Sequence, residues 1–280
     1  MPSDCAVIAT MHGKESVIAP LLRGALGLRT ELPADFDTDR FGTFSRDVPR
    51  TDTPLATARA KIAAAFEHVP YAQIGIASEG SFGPHPQVPF VPCDSELVLL
   101  IDRRNGVEVV GHHVTSRTNY AHCVVTESEA AAAFAQGVGF PSHGVIVTGT
   151  EDGKAAPLKL LRKNAMTMTG LLAAVAECVA LCGAAYLETD MRAHRNPTRM
   201  RAIRRATIDL LRRHRSRCPD CGREGFVVTE WLTGLPCAAC HAPTDRIRAA
   251  VSVCAGCGHR CERTSEAAWA DPGRCDHCNP

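Results

Sequence analysis

The sequence predicts an α/β domain with a mixed central sheet flanked by helices, followed by a small C-terminal zinc-ribbon domain. Short apolar runs of β type alternate with helical patterns through the first 187 residues, which is the pattern of an α/β fold. Nine of the 14 cysteines follow Arg217, and eight of these form four CxxC pairs. We therefore predict an α/β ligand-binding domain at 1–187, an Arg-rich turn and helix at 188–216 and tandem zinc ribbons at 217–280.

The charge is unevenly distributed, although the net charge of the 280 residues is only +1. Residues 191–223 contain eleven arginines and two aspartates, so the rest of the chain is acidic on balance. A concentrated basic segment favours contact with nucleic acid or docking on an acidic surface of the same chain.

Targeting signals are not evident. The opening residues have neither a basic region nor a long apolar core, which argues against a signal peptide. Glu177 interrupts the apolar stretch 165–187, which favours a buried helix over a membrane span. Clustered cysteines without a secretion signal indicate metal binding in the reducing cytoplasm.

The first strand, turn and helix resemble an anion cradle. We predict a strand at 5–10 and a helix from about Glu15 or Ser16, because Pro20 is tolerated only near the first turn. Free N–H groups at the helix start favour phosphate, and Lys14 adds positive charge. Polar residues 30–52 follow and predict a loop or mobile lid, with disorder as the alternative.

A second helix is predicted from Thr53 as N-cap and Pro54 as first residue through about Glu67. The next apolar run, 74–77, stops at SEGSFGPHP, which indicates a buried strand that leads into a stiff loop. Ligands bind at such strand ends in α/β sheets. A candidate site therefore contains Ser78, Glu79 and His85; a connection without chemistry is the alternative.

Asn105-Gly106 predicts a β-hairpin between the runs 96–102 and 107–114. In the loop after it, Arg117 and Asn119 could bind phosphate or a base, or could simply be solvated. Further along, a capping box at 126–129 predicts an Ala-rich helix. We also predict a strand at 144–148 and helices at about 158–182 and 197–214.

Residues 188–199 are dense in charged groups and could form a second wall of the site. Asp190 would then be a metal ligand or a base, and the anion contacts would come from Arg192, His194 and Arg199. The alternative is a polar interhelix turn, with Asn196 as the cap and Pro197 at the first helical position.

The four CxxC pairs carry the strongest chemical signal. Each pair presents two thiolates, and two pairs complete a tetrahedral zinc site. Four thiolates leave no open position, so we expect two structural zinc ions. Sequential assignment is the simplest; a cross-braced arrangement joins the first pair with the third and the second with the fourth. The pairs are Cys218 and Cys221, Cys237 and Cys240, Cys254 and Cys257, and Cys275 and Cys278. Cys261 is left over, and 225–236 is predicted to be a hairpin.

Two resemblances follow from these motifs. SEGSFGPHP at 78–86, TDMRAHRNPTRM at 189–200 and CDHCNP at 275–280 resemble an uncharacterised bacterial family, a domain of unknown function. ATMHGKE at 9–15 is similar to the opening of the inosine-triphosphate and Maf-like nucleotide pyrophosphatases. That second resemblance implies phosphate contacts from Thr10 and Lys14 and a magnesium or base role for Glu79. The Ser-His-Arg motif of that group is missing.

These observations predict magnesium-dependent hydrolysis, or binding, of a nucleotide or another phosphorylated small molecule. Glu79, with Asp94 or Asp190, would hold magnesium, while Lys14 and an arginine neutralise the phosphates. The alternatives are a nucleic-acid-binding protein, binding weakly through the Arg-rich helix and ribbons, and a protein-interaction scaffold. The sequence predicts no membrane contact, and it leaves the oligomeric state open.

Overall fold

The computed structural model describes residues 5–42, 52–85 and 88–280. Part of the predicted loop at 30–52, residues 43–51, lies outside the described residues. The chain divides into two compact units, of which the first ends at Leu211 and the second spans Arg212–Pro280. Among the described residues, no helix is both long and apolar enough to cross a membrane.

A mixed sheet organises the first half of the first unit. Its strands follow the order β2-β1-β3-β4-β5. β1 runs parallel to β2 and β3, whereas β3, β4 and β5 are antiparallel, which confirms the predicted mixed sheet flanked by helices. The strands are Cys5–Ile8, Arg29–Glu31, Ile74–His85, Val88–Asp102 and Val107–Thr115, and helices α1 and α2 span Glu15–Leu26 and Pro54–His68. Thr53 caps α2 by accepting the Ala56 N–H, as predicted.

The expected loop after residue 77 is wrong, because β3 continues to His85. Ser78 pairs with Val98 and Glu79 pairs with Leu97, so both candidate residues lie within a long β3–β4 hairpin. The glycines and prolines that suggested a loop are tolerated here, since the far part of the hairpin is a two-stranded ribbon. The Asn105-Gly106 hairpin between β4 and β5 is present, although β4 begins earlier than expected.

A second sheet, which the sequence analysis did not predict, completes the α/β part. Its order is β6-β9-β7-β8. The expected helix at 158–182 is wrong in its first part, which is strand β8; an Asp152-Gly153 turn with positive φ at both residues joins it to β7. Thr167 then caps α4. The elements are β6 His122–Val125, α3 Ser128–Gly137, β7 Val145–Glu151, β8 Lys154–Arg162, α4 Met168–Cys182 and β9 Ala185–Thr189. The capping-box expectation is also wrong, since Glu127 precedes α3 and makes no side-chain cap.

Helix α5, Pro197–Arg215, follows the predicted bounds closely. Asn196 caps it, because its Oδ1 accepts the Arg199 N–H at 3.0 Å. Ile203, Ala206 and Leu210 are fully buried in the core beside the mixed sheet. Gly111 on β5 allows this close approach, since a Cβ there would lie 2.3 Å from the Ala206 carbonyl oxygen. The Arg-rich helix is therefore amphipathic, with its apolar face in the core.

The second unit contains an antiparallel sheet in the order β10-β11-β12. The strands are Val228–Thr233, Ile247–Val253 and Arg260–Thr264. The hairpin expected within 225–236 is wrong: that segment supplies only β10, which pairs with β11 instead.

Candidate functional site

Charged side chains are buried together beside the end of β1. Each is at most 7% exposed, although buried charge is costly unless it is compensated. Buried titratable groups with shifted pKa values are more common at functional sites than in ordinary protein cores. The cluster contains Lys14, Lys61, Ser78, Glu79, Asp94, Glu96 and Arg199.

Lys14 reaches β3 from the turn after β1. Gly13, with φ of 73°, allows the turn that places Lys14 at the start of α1. Because β1 stops at Ile8 and β3 continues, the Ser78 carbonyl oxygen is open to the side, and Lys14 Nζ donates to it at 2.8 Å. On α2, Lys61 forms a buried ion pair with Glu79 at 2.5 Å.

Burial lowers the pKa of the Lys14 ammonium to about 7. The positive charges of Arg199 and Lys61 lower this pKa further, while Glu79 and Glu96 partly oppose the shift. Lys14 can therefore exchange its proton near neutral pH. Thr10, also buried, is bonded locally: its hydroxyl accepts the His12 N–H at 3.4 Å.

The low pKa of Lys14 predicts a pH-dependent effect of Lys14→Met. Between pH 7 and the ordinary lysine value of 10.5, the unfolded chain binds a proton that the folded protein does not. The contribution of Lys14 to the free energy of unfolding should therefore rise by up to ~1.4 kcal/mol per pH unit above pH 7. Below pH 7, Lys14 is protonated in both the folded and the unfolded chain, so the cost of burying its charge is fully present and the slope disappears. Lys14→Met should lack the slope.

Urea unfolding of both proteins at pH 6, 7, 8 and 9 measures the difference directly. The free energy of unfolding of the wild type should increase relative to that of Lys14→Met as the pH rises above 7. A difference that stays constant over this range would show that Lys14 keeps an ordinary pKa.

A second buried ion pair crosses from α5 to β4. Arg199 Nε lies 2.5 Å from Glu96 Oε1, and the guanidinium also donates to the Met191 carbonyl. The guanidinium carbon lies 5.2 Å from the centre of the Phe82 ring. Glu96 lies over Gly80, where a Cβ would come within 2.5 Å of Oε1. Glycine at 80 therefore makes room for this pair.

Asp94 is the least compensated of the buried acids. Among the described residues, neither of its carboxylate oxygens has a hydrogen-bond partner, and the same holds for Glu96 Oε2 and Ser78 Oγ. Burial raises the pKa of Asp94 to about 8, assisted by the charge of Glu96 and opposed by Arg199. Buried oxygens left in this state are typical of places where an ion, water or ligand binds.

A pocket of about 590 Å³ opens at the β5 residues that pair with Asp94 and Glu96, although neither acid is among its lining residues. On β5, Thr115 pairs with Asp94 and His113 pairs with Glu96, and both β5 residues line the pocket. Burial and the positive charge of Arg205 lower the pKa of His113. Within the part of the chain that the structure describes, the lining contains arginine, threonine, asparagine and histidine but no acidic side chain: His113, Thr115, Arg117, Thr118, Asn119, Thr198, Arg201, Ala202 and Arg205.

Two predicted ligands, Arg117 and Asn119, line this pocket. Asn119 also fixes the loop, since its Nδ2 donates to the Val138 carbonyl at 3.0 Å and its Oδ1 accepts from Asn196. Arg117 is exposed, and its backbone N–H donates to the Thr115 hydroxyl. The pocket is therefore positively charged and has a preformed wall.

The other predicted residues lie elsewhere. Arg192 binds both carboxylate oxygens of buried Asp190 and donates to the Lys163 carbonyl at 2.7 Å, so this pair stabilises the turn before α5. His194 stacks on His12 at 5.2 Å, and burial and Arg192 lower the pKa of His194. His85 ends β3. Asp94 and Glu96, rather than Asp190, thus carry buried carboxylate oxygens without a hydrogen-bond partner among the described residues.

Sequence reasoning did not assign a role in the site to Lys61, Glu96, His113 or the pocket residues of α5. Thr198, Arg201 and Arg205 are three and four residues apart, which places them on one face of a helix. That spacing could have indicated a binding face on the helix, but the other arginines of the same helix made the pattern difficult to recognise. Lys61 and Glu96 carried no local signal, since burial alone distinguishes them.

The eight CxxC cysteines of the second unit form two clusters. One contains Cys218, Cys221, Cys254 and Cys257, and the other contains Cys237, Cys240, Cys275 and Cys278. Within each cluster the sulfur atoms lie within 4.8 Å of one another, close enough to hold one metal ion. The sequential assignment is therefore wrong, and the cross-braced alternative is correct. Cys261 is exposed and belongs to neither cluster.

The antiparallel register explains the cross-bracing. Val228, at the start of β10, pairs with Ser252 near the end of β11. The first CxxC pair precedes β10 and the third follows β11, so both lie at one end of the sheet. The second pair, between β10 and β11, and the fourth, after β12, lie at the other end. Spacing along the chain does not contain this information.

Backbone N–H groups favour thiolates in both clusters. The N–H groups of Cys257 and Gly256 lower the pKa of the Cys254 thiol to about 6. Those of Cys240 and Ala239 lower the pKa of Cys237 to about 7. A thiolate is the form of cysteine that binds metal, so these N–H groups favour metal binding at Cys254 and Cys237, whereas hydrogen bonds to neighbouring thiols and burial raise the pKa of Cys257 and Cys278.

Comparison with protein families matches residues 61–280 to a family described as a domain of unknown function, DUF6671. The chain belongs to this family. The DUF6671 match includes Lys61, the pocket at β5 and both cysteine clusters. It begins after Lys14, so the first strand and its turn lie outside it. A search of curated proteins found no match.

Proposed function

We propose that the first unit binds a nucleotide or another phosphorylated small molecule and hydrolyses a phosphoanhydride bond with magnesium. One observation carries the proposal: an arginine-lined pocket, with no acidic side chain among its described lining residues, opens at the β5 residues that pair with two buried carboxylates whose oxygens lack hydrogen-bond partners. Arginine and threonine side chains supply the donors that phosphate accepts. Magnesium commonly binds one or two carboxylates together with substrate phosphates.

The residues divide into two groups by role. Arg117, Arg201 and Arg205 neutralise the phosphates from the pocket wall. Asp94 and the free oxygen of Glu96 would hold magnesium, since Arg199 already occupies the other Glu96 oxygen. Water would attack the terminal phosphorus and the bridging P–O bond would break. The shortened nucleotide would leave, and the proton of the water would pass to the released phosphate, with the positive charges stabilising the transition state.

For the second unit we propose zinc in both cysteine clusters. Four thiolates in tetrahedral reach of one ion are typical of structural zinc and leave no position for substrate. Metal binding then supplies stability that a unit of this size gains only in part from its apolar core. Eight cysteines kept as thiolates require a reducing compartment, so we propose a cytoplasmic location.

Arg205→Ala should weaken nucleotide binding about tenfold or more, because a charge-assisted hydrogen bond to phosphate is lost. Arg204→Ala is the matched control: Arg204 is exposed on the same helix but does not line the pocket. Calorimetric titration with nucleoside di- and triphosphates, with and without magnesium, measures the affinity. Equal losses in both variants would assign the effect to general charge and contradict the pocket.

Hydrolysis is tested by a phosphate-release screen over nucleotides. Asp94→Asn should abolish magnesium-dependent release while leaving magnesium-free binding intact. Release that persists in Asp94→Asn would exclude Asp94 as a magnesium ligand, and binding without release in the wild type would reduce the function to recognition.

A further inference from the structure

One face of the β10–β11–β12 sheet is open and carries a tryptophan among cations. Trp231 on β10 pairs with Ala250 on β11, which pairs with Arg263 on β12, so these residues form one row across the sheet. Side chains two positions apart share a face, which adds Arg248, Ser252 and Cys261. On the opposite face Ala249 and Val251 are fully buried and Glu230 and Glu262 are exposed, while on this face the small Ala250 is 7% exposed.

Trp231 is 60% exposed, which is unusual for the largest apolar side chain. Arg248 and Arg263 are exposed as well, and neither forms an ion pair with any described residue. The register places no acidic residue on this face. The face therefore presents one flat aromatic surface flanked by two guanidinium groups that no neighbouring carboxylate neutralises.

We propose that this face binds single-stranded nucleic acid, with Trp231 stacking on a base and Arg248 and Arg263 contacting the adjacent phosphates. Trp231 and Arg263 stand two strand spacings apart, about 10 Å, so a base on the indole brings its flanking phosphates within reach of arginine. Stacking platforms beside positive charge are the general means of binding single strands. This activity is separate from the one proposed for the first unit.

The composition of the face favours nucleic acid over a protein partner. Protein interfaces bury a tryptophan at the centre of a wider apolar patch. Here the β11 and β12 neighbours of Trp231 on the face are small, polar or positively charged, and the apolar Val228 on β10 is half-buried. A single exposed aromatic side chain beside arginines that have no acidic partner is complementary to nucleic acid, which combines aromatic bases with negatively charged phosphates.

Intrinsic fluorescence tests the stacking directly, because the chain contains only two tryptophans. In a full-length Trp269→Phe protein, all tryptophan emission comes from Trp231. Adding an unlabelled 12-nucleotide oligothymidylate or oligouridylate at low salt should quench this emission. In the reciprocal Trp231→Phe protein, emission from Trp269 should stay unchanged. Unchanged emission from Trp231 would overturn the proposal.

Fluorescence anisotropy with the same oligonucleotides, end-labelled, measures affinity. Trp231→Ala should weaken binding about tenfold or more, Trp231→Phe should retain part of it, and Trp269→Ala should match the wild type. Changing both Arg248 and Arg263 to Ala should reduce the slope of log affinity against log salt by about 1.4. A duplex of the same length should bind more weakly. Equal loss in Trp231→Ala and Trp269→Ala, or tighter binding to the duplex, would overturn the proposal; metal content verifies that each variant is folded.

Discussion

Replacing Cys218 and Cys257 together by Ser should remove one metal ion per chain, whereas replacing Cys218 and Cys240 should remove both. Cys218 and Cys257 belong to one cluster, with their sulfurs 3.7 Å apart, while Cys240 belongs to the other. A structural site needs all four thiolates, so a cluster that loses one or two of them no longer holds its ion. Sequential ligation would give the opposite result for the two double variants, so each is the control of the other.

Elemental analysis of purified protein gives the stoichiometry. A second measurement covers the case in which loss of one cluster unfolds the other. Wild-type protein is treated with limiting chelator and then with an alkylating reagent, and mass spectrometry identifies the modified cysteines. Cys218, Cys221, Cys254 and Cys257 should become reactive together. Joint modification of Cys218, Cys221, Cys237 and Cys240 would contradict the cross-braced arrangement.

Arg199→Met should lower the free energy of unfolding by about 3–5 kcal/mol, because it leaves the buried Glu96 carboxylate without its cation. Arg199 is 2% exposed and Glu96 is fully buried, so solvent cannot compensate for the loss. Adding Glu96→Gln in the same chain removes the stranded charge and should recover most of the stability. The double variant should therefore be more stable than Arg199→Met alone.

Urea unfolding of the wild type, both single variants and the double variant completes the cycle. Arg204→Met is the matched control, since that arginine is exposed on the same helix and should change stability little. If Arg199→Met costs no more than Arg204→Met, the Arg199–Glu96 pair does not hold α5 against the sheet.

Features with short-range causes were predictable from the sequence. Thr53 and Pro54 start α2, Asn105-Gly106 closes the β4–β5 hairpin, and Asn196 caps α5. Each depends on contacts within a few residues. The CxxC pairs belong to the same class, because each is a tight turn whose metal-binding chemistry follows from its own two thiols.

Features decided by distant pairing were not predictable in this way. The SEGSFGPH segment contains loop-forming residues, yet pairing with β4 keeps it in a strand. The two arrangements of the eight cysteines have identical spacings, and the register of β10 on β11 selects between them.

The site was predictable only in part, for the same reason. Lys14 and Ser78 lie together, through a hydrogen bond between residues 64 positions apart. Asp94 was a predicted magnesium ligand, whereas Glu96 looked like an ordinary strand residue, because its partner Arg199 lies 103 positions later in the chain. The sequence was sufficient to predict a ligand-binding site at the strand ends. It was not sufficient to predict which buried acids lack a hydrogen-bond partner.

Cross-bracing also determines the order in which thiols meet during synthesis. Cys221 is made 33 residues before Cys254, its partner in the first cluster. The pair Cys237 and Cys240 is made in between. A nascent chain therefore carries four thiols, Cys218, Cys221, Cys237 and Cys240, before either final set exists. A metal ion captured by these four must exchange two of its thiolates as β10 and β11 pair, because each final cluster contains only two of them.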